Sequence, residues 1–548
     1  MPTITLNKTV FEKLVGKKLP LEELKDRISM LGTDLEKIEG DEIHVEVFPN
    51  RPDMLSEQGF ARAFSSFIGV KTGLREYTIN KSSYTVKVDP SVDGIRPYTA
   101  CAVVKNLKFD AEKIREIIQI QEKLHVTYGR NRKKAAIGMY PLDKITFPIT
   151  FKADKPERIS FWPLEASKQM TGTQILQEHK AGKEFGHLLA GLPRYPFFID
   201  AEHEILSMPP IINSHHTGRV TEQTKDLFIE CSGFDLAVLS TCLNMIVTAL
   251  ADMGGEIYEV QVEYAKKKIN TPNVTPGSMK LDVAYVNQRL GLNLTKKSAV
   301  KLLSRMGYGY KQGKVRIPAY RADILHPVDL VEDIAIAYGY EHFEEIIPHV
   351  STIGEEAPLE QFARKVRELL VGLQFMEVKN YHLITKEELN EKMNVQEKVI
   401  PLQNAVGEYN HLRTKLLPSG LKNLGENQHN EYPHAIFEIG RAFGYNTHSE
   451  TGIEEREKLM CLICHEKTDF TQIRQVLDVL MNLLGVNCRV KESVHGSFIA
   501  GRVGEIYIDT HKIGIIGEIH PQVLTNWNIM NPVVGLELDL EKLWELVE

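Results

Sequence analysis

The stretch that says most about the fold is RADILHPVDLVEDIAIAYGY, residues 321–340. Pro327 is well placed as a first helical residue, because its fixed φ suits a helix and its missing N–H costs nothing there. The helix that it opens carries acidic residues in its first two turns, and residues three or four apart share one helix face. The stretch therefore predicts a helix that begins at Pro327 and carries several carboxylates on one face.

The acidic residues of this stretch form a candidate metal site. The predicted ligands are one carboxylate at the end of the preceding strand and three that converge on the helix, namely Asp323, Asp329, Glu332 and Asp333. A set of oxygen ligands suits Mg²⁺, which takes few carboxylates and keeps several waters. The alternative is that acids in a first helical turn complement the helix dipole, worth roughly 0.3–1 kcal/mol each. Four carboxylates in so short a stretch favour the metal interpretation.

The length and charge of the chain bound the fold and the function. Its 548 residues are about three to four times the usual domain length, so several separately packed cores are expected. A net charge of −7 lacks the basic footprint of a dedicated nucleic-acid coat protein. Basic clusters at residues 130–134 and 266–268 either contact phosphates or are solvated charge runs.

Several signals predict a cytoplasmic protein that makes no membrane contact. The N-terminal residues lack the apolar core of a signal peptide, and the apolar residues 236–251 are too short and too polar to span a bilayer, so we predict a buried helix there. Cys461, Cys464 and His465 match a haem-attachment or half-zinc spacing. Their setting, KLMCLICHE, instead predicts an apolar core strand.

The pattern of helices, strands and turns predicts an α+β multidomain fold with four regions. Residues 1–85 form an N-terminal α+β domain in which Ser56 opens a helix. Residues 86–268 mix strands and helices around the polar, proline-rich segment ILSMPPIIN. Residues 270–348 form a small helical domain in the order helix, helix, strand, helix, and residues 355–548 form an α+β domain on an antiparallel sheet.

Several segments together resemble one known family. They occur in this order: FPNRPDMLSEQGFARA, GRNRKKAAIGMYPLDKI, PPIIN, RADILHPVDLVEDIAIAYGY, LRTKLLPSGLKNLGENQHN and FEIGRAF. They are similar to the β subunit of phenylalanyl-tRNA synthetase in its archaeal and eukaryotic-type form. The resemblance implies an α₂β₂ heterotetramer that joins L-phenylalanine to its tRNA with ATP and Mg²⁺, the synthesis taking place in the α subunit.

The resemblance also assigns a role to each region. The four regions would be a B1-like domain, a B3/B4-like editing domain, a B5-like domain with the magnesium site, and a B6–B7-like degenerate class II synthetase domain. The magnesium ligands would be the four carboxylates named above.

Editing would use Ser207, Glu230 and Ser232. Glu230 would accept the hydroxyl of tyrosine, and the two serines would hold an amino group or an attacking water. Related sequences often carry aspartate and threonine at the positions of Glu230 and Ser232. This chain therefore keeps the charge and the hydroxyl, but its acidic side chain is longer. The alternative is that all three are strand-end and helix-capping residues.

The last region lacks the groups that a working class II site needs. Ile436 stands where an arginine, two residues before Glu438, would hold the ATP α-phosphate, and the C-terminal VVGLELDLEKLWELVE has neither a glycine series nor an arginine. We therefore expect no catalytic residue for aminoacylation in this chain.

Three functions remain to be compared. The first is a synthetase β subunit that edits tyrosine, and the second is a free-standing aminoacyl-tRNA deacylase. The third is a non-enzymatic nucleic-acid-binding protein that uses residues 270–348, which the negative net charge disfavours.

Overall fold

The computed structural model describes residues 2–348, 350, 353–405 and 407–547. They form two compact units, Met1–Ile347 and Pro348–Glu548. Both units combine helices with β-sheets, as the sequence predicts.

The first unit begins with the following elements. Its helices are α1 (Lys8–Val15), α2 (Leu21–Met30), α3 (Glu57–Phe67), α4 (Ala111–Val126), α5 (Gly172–Glu178), α6 (Lys180–Phe185), α7 (Leu236–Asp252), α8 (Val283–Leu290), α9 (Lys296–Arg305) and α10 (Pro327–Tyr338). Its strands are β1 (Thr3–Asn7), β2 (Asp34–Glu39), β3 (Glu42–Glu46), β4 (Ile79–Asn80), β5 (Thr85–Val88), β6 (Tyr98–Lys105), β7 (Ala135–Pro141), β8 (Ile149–Asp154), β9 (Ser160–Phe161), β10 (Met170–Thr171), β11 (Tyr195–Ile199), β12 (Ile205–Met208), β13 (Ile212–Asn213), β14 (Leu227–Gly233), β15 (Glu256–Tyr264), β16 (Lys267–Thr271), β17 (Gly277–Lys280), β18 (Gly309–Lys311) and β19 (Lys314–Ile317). Short 3₁₀ turns lie at Pro52–Met54, Pro90–Val92, Leu142–Lys144, Pro156–Arg158, Gly186–Leu188 and Tyr340–His342.

An eleven-stranded sheet is the centre of this unit. Its main path runs β13-β12-β11-β8-β5-β15-β6-β14-β7, and β4 and β16 also pair with β15. Strand β14 lies antiparallel between β6 and β7. Alternate residues of β6 serve two cores, Ala100 and Ala102 on one face and Cys101 and Val103 on the other. Because both faces are covered here, β6, β7 and β14 are buried along almost their whole length.

The apolar segment at residues 236–251 is the buried helix α7. Asp235 caps it by accepting hydrogen bonds from the N–H groups of Ala237 and Val238. The prediction of a buried helix is confirmed, since Leu239, Leu243 and most of their neighbours on α7 are buried. Within the described residues, every helix is too short or too polar to cross a bilayer.

One hydrophobic cluster joins the three regions predicted in this unit. It contains Ile4 and Phe60 from the first region, Leu243 from the second, and Leu303 and Ile334 from the third. Helix α3 packs on α1, α7 and α9. Several hydrophobic clusters are present, as expected for a chain of this length, but this one is shared by the three regions.

Residues 277–338 contain more strand than the sequence predicts. The three helices and β19 match the prediction, and Pro327 is the first residue of α10. Strands β17 and β18 pair with β19 in a three-stranded antiparallel sheet, so this part is α+β and the prediction of a small helical domain is wrong on that point. Both added strands are short and largely exposed, which leaves no apolar alternation to detect.

The second unit contains the remaining elements. Its helices are α11 (Pro358–Gly372), α12 (Leu417–Glu426), α13 (Phe470–Leu483), α14 (Pro521–Asn526) and α15 (Leu540–Val547), with one π-helical turn at Glu387–Glu391. Its strands are β20 (Met376–Glu377), β21 (Leu383–Ile384), β22 (Ile400–Pro401), β23 (His411–Leu412), β24 (His434–Tyr445), β25 (Ile453–Cys464), β26 (Arg489–Glu492), β27 (Phe498–Ile508), β28 (His511–Ile519) and β29 (Val533–Asp539).

A seven-stranded sheet in the order β20-β24-β25-β29-β28-β27-β26 organises this unit. All its pairs are antiparallel except β20 with β24. Alternate residues of β25 serve two clusters, Cys461 on one face and Cys464 on the other. Both thiols are buried and free, so the predicted core strand is confirmed.

Candidate active site

A cavity of about 710 Å³ lies within the first unit. Its wall comes from α4, β7, β14 and the loops that follow β12 and β13. The wall includes Glu122, His125, Arg132, Leu164, Glu165, His215, Arg219 and Glu230. A cavity of this size matches those that enclose drug-sized ligands in other proteins.

Glu230 is the ionisable group of β14 that reaches this cavity. Its side chain is 1% exposed, and burial raises the pKa of its carboxyl to about 8, although the guanidinium of Arg96 opposes the shift. The Oε2 atom is buried and has no hydrogen-bond partner among the described residues. An unpaired buried polar atom costs about 1–3 kcal/mol, and a ligand group that pairs with Oε2 would offset this cost.

Tyr140 joins Glu230 to Ser207. Its hydroxyl lies 2.7 Å from Ser207 Oγ and 3.3 Å from Glu230 Oε1, and burial raises the pKa of the phenol well above its ordinary value. Gly138 makes room for this contact, because a Cβ there would lie 2.1 Å from the Tyr140 hydroxyl and 2.6 Å from Glu230 Oε1. The phenol holds Oε1 and leaves Oε2 free.

Arg96 holds Ser232, which lies on β14 two residues after Glu230. Its Nε donates to Ser232 Oγ at 3.1 Å and its Nη2 donates to the Ser232 carbonyl at 2.5 Å. Burial lowers the pKa of Arg96 to about 10, and the nearby Glu230 opposes that change. The guanidinium thus supplies a buried positive charge behind the cavity.

The structure brings Ser207, Glu230 and Ser232 into one neighbourhood but gives them different positions. Glu230 is part of the cavity wall. Ser207 and Ser232 are 1% and 0% exposed. Ser207 contacts Tyr140, and Ser232 contacts Arg96 and also acts on the carboxyl of Glu230, whose pKa it lowers. The two serines lie outside the set of residues that form the cavity wall. The prediction that their hydroxyls hold an amino group or a water stays a prediction.

Sequence reasoning missed a second polar cluster in the cavity wall. Nε2 of His125 accepts from the N–H of Ile137 at 2.8 Å, so the ring proton lies on Nδ1, which faces Glu122 Oε1 at 3.3 Å. Burial lowers the pKa of His125. Arg132 donates to the carbonyls of Pro210 and Ile211 and contacts Glu122.

One signal for this cluster was the basic run at residues 130–134. Arg130, Asn131 and Arg132 have φ values of 48°, 52° and 65°. Three successive non-glycine residues in the left-handed region are costly, and such strain concentrates at functional sites. Arg132 in this run belongs to the cavity wall rather than to a fully solvated surface.

The predicted metal ligands on the exposed side of α10 have local partners. Asp329 Oδ2 accepts from the N–H groups of Leu325 and His326, each at 2.7 Å, and so caps the helix. Glu332 Oε1 lies 3.1 Å from the hydroxyl of Tyr340. These contacts match the helix-end alternative.

The other two predicted ligands are the counter-ions of Arg321. Its guanidinium contacts Asp323 at 2.8 and 2.6 Å and Asp333 at 2.8 Å, and the Tyr308 hydroxyl also donates to Asp333. Burial opposes the charge of Arg321, but the two carboxylates raise its pKa well above the ordinary value.

The four carboxylates therefore do not form one ligand set. Within the described ranges, His, Cys, Asp and Glu side chains form no group of three or more suited to a metal ion. The guanidinium of Arg321 lies between Asp323 and Asp333. Binding of Mg²⁺ by the four carboxylates stays a prediction.

The second unit contains a fully paired buried carboxylate. Glu438 on β24 is 0% exposed. Its Oε1 accepts from Arg413 Nη1 at 2.7 Å and its Oε2 accepts from Asn380 Nδ2 at 2.8 Å. Ile436, two residues earlier, is buried in a hydrophobic cluster. This geometry is that of a packed core.

Comparisons with known proteins cover the whole chain. Residues 279–340 match the tRNA synthetase B5 domain family, and residues 344–540 match the phenylalanyl tRNA synthetase beta chain CLM domain family. The chain is 40% identical to the phenylalanine–tRNA ligase beta subunit of Thermococcus sibiricus, over 100% of this chain and 99% of that one. The chain is also 40% identical to the Pyrococcus furiosus protein of the same name, and the match covers 99% of this chain and 100% of that protein.

A solved structure is similar to the N-terminal part. It is an N-terminal fragment of the phenylalanyl-tRNA synthetase beta-subunit from Pyrococcus horikoshii, with 38% identity and a TM-score of 0.59. The match covers 62% of this chain and 99% of the fragment.

Proposed function

The chain belongs to the family of phenylalanine–tRNA ligase β subunits, and on that premise we propose that its cavity hydrolyses tyrosine wrongly joined to the phenylalanine tRNA. The observation that carries the proposal is the buried, unpartnered Oε2 of Glu230 at the wall of a 710 Å³ cavity. The resulting reaction adds water across the ester bond and releases tyrosine and the free 3′ end of the tRNA.

The free oxygen of Glu230 supports recognition of a hydroxyl group. Tyrosine and phenylalanine differ by one hydroxyl, and a synthesis pocket shaped for phenylalanine excludes the larger analogue imperfectly. A second site that pairs with the hydroxyl discriminates in the opposite direction, because bound phenylalanine leaves a buried polar atom unpaired. Below its pKa of about 8, the carboxyl of Glu230 carries a proton and can donate it from Oε2 to the phenol oxygen.

The second unit supports a division of labour with a partner subunit. Ile436 lies in the core, and Glu438 is paired with Arg413 and Asn380, so these groups are not arranged to bind ATP. We assign amino-acid activation, with its ATP and Mg²⁺, to an α subunit in an α₂β₂ assembly that also binds the phenylalanine tRNA. In this proposal residues 1–85, 86–268, 270–348 and 355–548 are the N-terminal, editing, B5-like and non-catalytic synthetase-like domains.

The test compares the hydrolysis of tyrosyl-tRNA and phenylalanyl-tRNA by the full chain with its partner subunit. Glu230→Ala removes the hydrogen-bonding group and should lower kcat/KM for tyrosyl-tRNA by about 5- to 150-fold, the equivalent of about 1–3 kcal/mol. Hydrolysis of phenylalanyl-tRNA should change much less, because it has no hydroxyl to lose. Preference between the two substrates is the decisive readout.

Glu116→Gln is the matched control. Glu116 is also a buried carboxyl, and burial raises its pKa to about 7. It lies on α4 outside the set of residues that form the cavity wall. Equal losses in both variants, or an unchanged preference in Glu230→Ala, would remove Glu230 from the site.

The alternative is a free-standing deacylase. It predicts full hydrolysis of tyrosyl-tRNA by the lone chain and no effect of the partner subunit on the rate. Our proposal predicts phenylalanine transfer to tRNA only when the partner is present, so measuring both reactions with and without the partner separates the two functions.

A further inference from the structure

An aromatic pair of one exposed and one half-buried ring adjoins the cavity. Trp162, which directly follows β9, is 45% exposed. Its ring lies 5.0 Å from the ring of His215 with an angle of 17° between the planes. The indole Nε1 donates to the Ala166 carbonyl at 2.7 Å, and the His215 N–H donates to the Trp162 carbonyl at 2.7 Å. The ring is thus held in a defined orientation although it is half exposed to solvent.

The pair is continuous with the proposed site. His215, Leu164 and Glu165 all belong to the cavity wall, and the last two follow Trp162 closely in the chain. The Nδ1 atom of His215 is buried without a hydrogen-bond partner in the described part of the chain. The exposed residue Arg219 belongs to the same wall. The cavity wall therefore includes a stacked aromatic ring with an unpaired nitrogen and a cation.

These groups match the chemistry of the RNA end that must enter with the amino acid. An aminoacylated tRNA carries its amino acid on the ribose of the terminal adenosine. If the side chain reaches Glu230, this nucleoside must lie farther out in the cavity. Aromatic side chains bind bases by stacking, worth about 1–3 kcal/mol per base, and a guanidinium suits a phosphate.

We propose that the stacked rings of Trp162 and His215 form a platform that binds the terminal adenine of the aminoacylated tRNA. The proposal rests on the proposed editing function, because it places the nucleoside of the same substrate. It adds a binding subsite for the base, separate from the recognition of the amino acid by Glu230. Trp162 is a binding residue here and takes no part in the bond-breaking step.

The first experiment uses the fluorescence of Trp162 in the full chain. The chain has three tryptophans, of which Trp527 is buried and Trp544 partly buried. An RNA hairpin that ends in single-stranded CCA should quench the fluorescence, and the same hairpin without the terminal A should quench it less. The difference should disappear in Trp162→Phe, which removes the reporter. Equal quenching by both hairpins overturns the proposal.

The second experiment separates stacking from packing through the KM for tyrosyl-tRNA hydrolysis. Trp162→Leu keeps an apolar side chain but has no aromatic face, so its KM should rise about 5- to 150-fold while kcat changes little. Trp162→Phe should retain most of the affinity. Equal KM values in the wild type, Leu and Phe variants would show that the platform does not bind the base.

The two proposals can fail separately. If Glu230→Ala abolishes the preference for tyrosine while the Trp162 variants keep the wild-type KM, the platform is wrong and the editing function stands. If the terminal A quenches Trp162 but Glu230→Ala has no effect, the editing role of Glu230 fails while the base-binding platform stands.

Discussion

Two buried glutamates on central strands of different sheets have opposite environments. Glu438 is 0% exposed, and both of its carboxylate oxygens are paired with Arg413 or Asn380. Glu230 is 1% exposed, but its Oε2 has no partner in the described residues and it forms part of a cavity wall. Burial alone therefore does not identify a site, whereas a buried polar atom left unpaired beside a cavity does.

The buried carboxylate on helix α10 is also paired within the chain. Asp333 resembles Glu438, because Arg321 and Tyr308 supply its partners. Neighbouring carboxylates indicate a cation, but the cation here is a guanidinium of the same chain. The apolar face of the helix packs in the core of the first unit, and the magnesium assignment of its carboxylates stays a prediction.

The largest effect is expected when the paired glutamate loses its partner. Arg413→Met leaves the Glu438 carboxylate buried without its cation, which should lower the free energy of unfolding by about 3–5 kcal/mol. Urea unfolding followed by circular dichroism measures this loss. The double variant Arg413→Met with Glu438→Leu removes both charges and should recover much of it; a double variant as unstable as the single one would contradict the explanation.

A smaller effect is expected at the Arg321 cluster. Asp333→Asn removes one of two anions beside Arg321, while Asp323 keeps its contacts, so we expect a loss of about 1–3 kcal/mol. Because the partner is a guanidinium, the loss should be the same with Mg²⁺ and with a chelator. The thermal midpoint of the full chain in both conditions provides the measurement.

Asp329→Asn is the matched control for that change. Asparagine can still accept the backbone hydrogen bonds at the helix start, so only the dipole contribution of about 0.3–1 kcal/mol should be lost. A wild-type midpoint that rises with Mg²⁺, and a rise that is absent in Asp333→Asn, would restore the four-carboxylate centre.

Local signals in the sequence predicted much of the fold. Ser56 accepts from the Gly59 N–H and caps α3, Pro327 begins α10, and Gly291 ends α8 with a φ of 66°. Each depends on residues within one helical turn, where side-chain chemistry determines the backbone. Strands β17 and β18 escaped prediction because pairing with β19 defines them rather than their own pattern.

The candidate site was predictable only in part. The resemblance of the motifs, rather than a local pattern, indicated Glu230. Tyr140 lies 67 positions from Ser207 and 90 positions from Glu230 along the chain, so nothing near it in sequence shows that its hydroxyl reaches both. The role of Arg321 was hidden for a related reason, since the spacing of acidic residues does not show which cation lies between them.

The last prediction tests the unpaired glutamate through the pH dependence of stability. The pKa of Glu230 is about 8 in the folded chain, against 4.5 for an ordinary glutamate. The folded state therefore holds an extra proton between these values, and the stability that this proton provides is present below about pH 4.5 and lost as the pH rises through about 8. Glu230→Gln stays neutral, so the difference between the thermal midpoints at pH 6 and pH 8.5 should narrow by on the order of 1 °C or more.

Two other carboxyls shape the same pH dependence and provide its control. Burial raises the pKa of Glu57 to about 8 and that of Glu116 to about 7, so some loss of stability toward pH 8.5 should remain in Glu230→Gln. Glu116→Gln should reduce the pH dependence of the thermal midpoint mainly below about pH 7. Glu230→Gln should reduce that pH dependence up to about pH 8.5. An unchanged difference in Glu230→Gln would show that Glu230 is ionised and solvated like a surface carboxylate, which would remove the contrast with Glu438.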